Sequence, residues 1–215
     1  MYHTILFDLD GTLTDSAAGI TNAVAYALKK WDIEEKDIGV LRKFVGPPLT
    51  ASFAKYYGFS PEKSHEAVGY YREYYGTKGI YENRVYDGIE ELLLWIRETG
   101  RRAILATAKP EPAAVHVMEY FHLDPYFDVI AGASMDYSRV EKSDVIRYAL
   151  ERAGLSDLSG VVMVGDREND IQGGRENGLD TIGVLYGYGS REELVEAGAM
   201  QIAQTVEDLR RCIEA

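Results

Sequence analysis

With 215 residues, of which 46% are hydrophobic and 27% charged, the chain has the balance of a folded globular protein, long enough for one large domain or a domain with a modest insertion. A formal net charge of −12 and a pI near 4.8 argue against nucleic acid or anionic membrane as partners, because those surfaces reward clustered Lys and Arg. The single thiol, Cys212, excludes an intramolecular disulfide and fits a reducing compartment; with no apolar run near the roughly 18 residues of a membrane span and no secretion signal in residues 1–11, a cytoplasmic location is expected.

Residues 3–7 are apolar and closed by Asp8-Leu9-Asp10-Gly11, the pattern of a buried strand ending in a loop. The next segment, 15–84, carries no convincing strand but helical stretches at 17–31, 38–44, 49–57 and 61–75. Its paired tyrosines, Tyr56-Tyr57, Tyr70-Tyr71 and Tyr74-Tyr75, recur at helical spacing and read as the packing of a small bundle. Further on, apolar runs at 103–106, 129–131, 161–164, 181–184 and 200–203 alternate with helical patterns at 89–99, 112–121, 143–153, 171–177, 191–197 and 206–213. Such alternation predicts a parallel sheet covered on both faces. The expected architecture is α/β: a Rossmann-like, doubly wound parallel sheet built from residues 1–14 and 85–215, with an inserted α-helical cap at 15–84.

Two acidic pairs stand where strands are expected to end. Asp8 and Asp10 follow the first strand, and the carboxyl edge of an open parallel sheet is where ligands bind. Asp166 and Asp170 follow the strand at 161–164, spaced so that both reach one point if a helix begins there. A lone pair of this kind is ordinarily a turn or a helix cap; two pairs at two strand ends ask for more. Brought together without a cation, the four acids would repel one another and take up protons more readily. Hard oxygen ligands of this type suit Mg²⁺. Thr107, at the end of the run 103–106, offers a hydroxyl and nearby backbone N–H groups to a phosphate oxygen. Lys142 opens the helix before the strand at 161–164, a position the helix dipole disfavours for a cation.

In order, Asp8-Leu9-Asp10-Gly11-Thr12-Leu13-Thr14, Thr107, Lys142 and Gly165-Asp166 through Asp170 resemble the four motifs of the haloacid dehalogenase superfamily, over nearly the whole chain. The insertion after the first motif is similar to the helical cap of the subfamily that contains phosphoglycolate phosphatases, as are residues 84–88 and 126–128. The resemblance implies a Mg²⁺-dependent phosphatase acting on a small phosphorylated metabolite of phosphoglycolate or nucleotide type. Asp8 would be the nucleophile that becomes an aspartyl-phosphate, and Asp10 the acid and then the base. Mg²⁺ would be held by the Asp8 carboxylate, the Asp10 carbonyl and Asp166, with Asp170 bound directly or through water. Thr107, Lys142 and the backbone at Gly11 and Ala108 would grip the phosphoryl group. In the cap, residues 42–49 combine Arg42, Lys43 and Phe44 with a stiff Gly46-Pro47-Pro48 turn, and Arg42 and Gly46 are the candidate substrate contacts. The alternatives are a phosphomutase resembling β-phosphoglucomutase and a non-catalytic metal- or phosphate-binding module. A dehalogenase has no need of Asp10, and a phosphonatase needs a cap lysine that the context of Lys29, Lys30, Lys43 and Lys55 does not mark. Monomer and homodimer both remain open.

Overall fold

The computed structural model describes residues 1–215 as two units, one of residues 1–13 and 85–215 and one of residues 14–84. The chain forms β1 (Thr4–Phe7) and the two-residue β2 (Thr14–Asp15), then α1 (Ala17–Lys29), α2 (Ile38–Arg42), α3 (Leu49–Tyr57) and α4 (Pro61–Tyr75). It returns through β3 (Arg84–Val85), which pairs with β2. There follow α5 (Ile89–Glu98), β4 (Arg102–Pro110), α6 (Glu111–Tyr120), β5 (Val129–Ala133), α7 (Lys142–Arg152) and β6 (Val161–Gly165). The chain closes with α8 (Glu168–Glu176), β7 (Asp180–Val184), α9 (Arg191–Ala197), β8 (Gln201–Ala203) and α10 (Val206–Glu214).

The first unit is a six-stranded sheet in the order β5-β4-β1-β6-β7-β8, with every pair parallel. All four residues of β1 and all five of β6 are buried, because helices cover both faces and no side of the strand is left for water. Helix α5 buries Ile89, Leu92, Leu93 and Ile96, one stripe at i, i+3, i+4 and i+7. Helix α7 turns Val145, Ile146, Ala149 and Leu150 into a cluster with Leu6, Ile104, Val129 and Met163. Because β1 is central, with β4 on one side and β6 on the other, the sheet winds away from it in both directions. The resulting crevice lies at the carboxyl end of β1.

The second unit is helical, with α1 and α3 both packed on α4. Its core is aromatic: Phe44 meets Phe53 edge-on at 4.9 Å, Phe53 stacks on Phe59, and Trp31 meets Phe59 at 5.2 Å. Of the paired tyrosines, Tyr71 and Tyr75 are buried and stack on each other at 5.3 Å, while the others are half-exposed. Ser60 caps α4 by accepting from the Lys63 N–H, with Pro61 in the first turn, the arrangement favoured at a helix start. No helix of either unit is long and apolar enough to cross a membrane.

Among the departures from the sequence expectations, two concern the ends of elements and one a strand pair. Strand β4 runs on past Ala106 to Pro110, its pairing with β5 shifting register between Thr107 and Pro110. Helix α8 begins at Glu168 rather than 171, since its polar first turn hides the apolar period. The short ribbon of β2 with β3 has too few residues to show alternation.

Candidate active site

Strand β1 delivers Asp8 and Asp10, 4% and 8% exposed, onto the crevice. The Asp8 N–H donates to the Val164 carbonyl at 3.0 Å, and the Leu13 N–H to the Leu9 carbonyl at 2.9 Å, so the loop is tied to β6 and closed on itself. Gly11 adopts φ +95°, and a Cβ there would lie 2.4 Å from an Asp166 carboxylate oxygen; only glycine fits. From β6 comes Asp166, fully buried, its oxygens accepting from the Thr12 hydroxyl at 3.3 Å and the Tyr188 N–H at 2.8 Å.

Asp166 lies outside the helix and Arg167 is the N-cap of α8, so the two acids of this pair meet across a helix start rather than on successive turns. Asp170 accepts from the Arg167 N–H at 3.1 Å. It is therefore a capping residue and a site residue at once. Oxygens of Asp8, Asp166 and Asp170 gather within 4.8 Å of one another, all three residues buried. The Asp10 carboxylate is not among them.

Lys142 opens α7 and is itself buried. Its ammonium lies 2.7 Å from Asp8 and 2.7 Å from Asp170, and donates to the Ala106 carbonyl at 3.1 Å. These contacts account for a lysine at a helix start, where the dipole alone would reject it. Burial would lower its proton affinity, but Asp170 and Asp8 outweigh burial and hold it above the ordinary lysine range. Burial pushes the Asp8 carboxyl up to about 6, with Lys142 opposing and Asp170 reinforcing. Asp166 is raised well above the usual carboxylate range by burial, then by Asp170 and Asp8. Both acids take up protons readily because burial penalises their charge and their acidic neighbours add to it, and a divalent cation would offset that charge. The donor set fits a hard ion such as Mg²⁺: carboxylate oxygens and no sulfur or imidazole.

Thr107 is buried at the start of the irregular end of β4, and its hydroxyl accepts from the Lys109 N–H at 3.3 Å. The residue lies within the strand, not at its end as the sequence suggested, and Ala108 lies with it. Arg42, exposed at the end of α2, and Gly46, at φ +101°, belong to the helical unit. There Arg42 lines a pocket of about 510 Å³ with Asp15, Asn22, Glu82 and Arg84.

Two features escaped the sequence reading. Lys109 is buried and grips both oxygens of Asp10, at 3.0 and 2.8 Å. Because residues i and i+2 of a strand share a face, Thr107-Ala108-Lys109 carried the signal once the strand was known to continue. The loop after β7 is the other: the Tyr186 hydroxyl donates to the Thr12 carbonyl at 3.1 Å and its ring meets Tyr86 at 5.2 Å, while Tyr188 holds Asp166. A Cβ at Gly187 would lie 2.3 Å from the Gly11 carbonyl oxygen, so the glycine lets the loop of residues 186–188 approach the loop after β1 closely.

Buried acids with a lysine between them, at the switch point of a doubly wound sheet, make a site for a cation and an anionic group rather than for an apolar ligand. The model of the haloacid dehalogenase-like hydrolase family matches residues 5–184, and the chain belongs to that family. It is 41% identical to a 5'-nucleotidase of Pseudomonas aeruginosa over 214 residues, covering 100% of this chain and 96% of that one. It is 38% identical over 212 residues to the tyrosine-protein kinase PtkA of Mycobacterium tuberculosis, covering 97% of this chain and 72% of that one. Among solved structures, that of a predicted phosphatase from Clostridium acetobutylicum superposes with a TM-score of 0.96 at 48% identity, covering 100% of this chain and 99% of that one.

Proposed function

We propose that this hydrolase is a Mg²⁺-dependent phosphatase of small phosphate monoesters, nucleotide-type substrates foremost, working through an aspartyl-phosphate on Asp8. The observation that carries the reading is the buried Asp8 carboxylate, 2.7 Å from the Lys142 ammonium and grouped with Asp166 and Asp170. The 5'-nucleotidase relative, matched over nearly its whole length, supports the choice of substrate class.

Asp8 attacks phosphorus in line with the ester oxygen, splitting one hard displacement into two easier ones. Asp10 gives its proton to the departing oxygen and then takes one from the water that opens the aspartyl-phosphate. Lys142 and the Thr107 hydroxyl offset charge on the phosphoryl oxygens, with the backbone at Gly11 and Ala108 as further donors. Asp8, the Asp10 carbonyl and Asp166 would hold the ion, with Asp170 as a further ligand; when bound it offsets the combined charge of ester and acids. The helical unit serves as the cap that excludes water and reads the leaving group, with Arg42 and Gly46 as its candidate contacts.

Phosphate release over a panel of nucleoside 5'-monophosphates, phosphoglycolate and sugar phosphates tests the proposal, with the Asp8→Asn protein as blank. No release from any of them with Mg²⁺ present would sink it. A phosphomutase would isomerise a sugar phosphate without matching release, and transfer to a protein hydroxyl, as the kinase name of the Mycobacterium relative describes, would label protein instead.

Ion binding has a pH signature independent of turnover. The Asp8 carboxyl is raised from 3.8 to about 6 in the fold, so between those values the folded chain holds a proton that the unfolded chain has released. Without a divalent ion, stability therefore falls as pH rises through that window, and the raised Asp166 adds in the same direction. Mg²⁺ relieves the repulsion. It is expected to raise the melting temperature more above pH 7 than near pH 5, and equal shifts at the two pH values would count against Asp8 as a ligand.

A further inference from the structure

Beside the ion cluster stands a second buried pair, of which one member, Lys109, has had no part in the chemistry described so far. Lys109 and Asp10 have side chains 5% and 11% exposed, and the ammonium touches both carboxylate oxygens, at 3.0 and 2.8 Å. The lysine sits on β4, next to β1 in the sheet, so a strand rather than a loop fixes where its chain starts. Lys142 serves Asp8 and Asp170, whereas Lys109 serves Asp10. Oxygens of Asp8, Asp166 and Asp170 converge while the Asp10 carboxylate stays out of the group.

We infer that Lys109 is a positioning residue which holds the Asp10 carboxyl group away from the ion cluster and aimed at the leaving-group oxygen, the proton given there being regained from the water of the second step. A carboxylate on a short loop next to a cation site would otherwise turn toward the cation and join the other acids as a ligand. Contact with both oxygens fixes the plane of the group as well as its place. Lys109 acts through Asp10, and its effect falls on esters whose leaving group needs a proton.

The inference rests on the phosphatase reading, and the leaving group separates the two. An aryl phosphate such as p-nitrophenyl phosphate expels a stabilised phenolate and needs little help from an acid; a nucleoside 5'-monophosphate expels an alkoxide and needs much. In Lys109→Met, and in Lys109→Gln should the first fold poorly, kcat for the nucleotide is expected to fall at least about 10-fold further than kcat for the aryl ester, general acid help being worth about 10²–10⁴. The Mg²⁺ concentration for half-maximal rate is expected to stay or drop, and Lys109→Arg, with its N–H donors, to recover part of the lost selectivity. A merely structural lysine would depress both substrates equally or raise the Mg²⁺ requirement, and either result overturns the inference. Failure of the wild-type protein to hydrolyse both esters would instead overturn the phosphatase reading itself.

Discussion

Asp8→Asn is expected to reduce phosphate release by about 10⁴-fold or more while leaving the fold intact, because the nucleophile is removed and its shape is kept. Stability distinguishes this loss from unfolding. Burial pushes the Asp8 carboxyl up to about 6 against the pull of Lys142, with Asp170 and Asp10 adding to the rise, so a neutral amide there escapes the cost of a buried charge and the repulsion of both acids. Lys142 keeps Asp170 at 2.7 Å and the Ala106 carbonyl at 3.1 Å. Near neutral pH and without added metal, the variant should therefore melt no lower than the parent, and it should show a smaller gain from Mg²⁺. A rate within about 10-fold of wild type would remove Asp8 from the covalent step.

Lys142→Met is the second large effect, and its sign in stability is opposite. The ammonium compensates two acids that water cannot reach, and stripping one partner from a buried ion pair costs about 3–5 kcal/mol. Mg²⁺ takes over part of that compensation, so the melting temperature of the variant should depend on the ion far more steeply than that of the parent. Turnover should fall by about 10²–10³ even at saturating Mg²⁺, because the donor proposed for the charged phosphoryl oxygens is gone. A variant as stable as wild type in the presence of a chelator would mean that Asp8 and Asp170 find another countercharge.

Much of this was legible in the sequence because the information was local. Short apolar runs gave the buried strands, and each acidic pair sat directly after one of them. Lys142 stood out as a cation where the helix dipole disfavours one. The end of β4 was harder: Thr107-Ala108-Lys109-Pro110 holds a hydroxyl, an ammonium and a proline, none of which reads as strand, and pairing with β5, at Thr107 and Pro110, keeps it extended. Lys109 was missed for that reason. The Tyr186 loop was missed because its partners, Thr12 and Asp166, lie far away in sequence, and a glycine that admits a neighbour looks like any turn glycine until the neighbour is known. The helical unit was visible as a break in rhythm. What its Arg42 and Gly46 touch depends on a substrate that no sequence pattern specifies.

The place of β1 bears on biosynthesis. Strand β1 sits in the middle of the sheet and pairs with strands made later, whose matching residues begin at Arg102 and Val161. The segment Thr4–Phe7 therefore waits unpaired until β4 has been made and keeps one edge open until β6 follows, and contacts so distant along the chain make for slow folding. Nascent chains stalled before Val161 would leave an edge of that segment open to aggregation or to chaperones, and enzymatic competence should appear abruptly, only once β6 and the acids that follow it have been made.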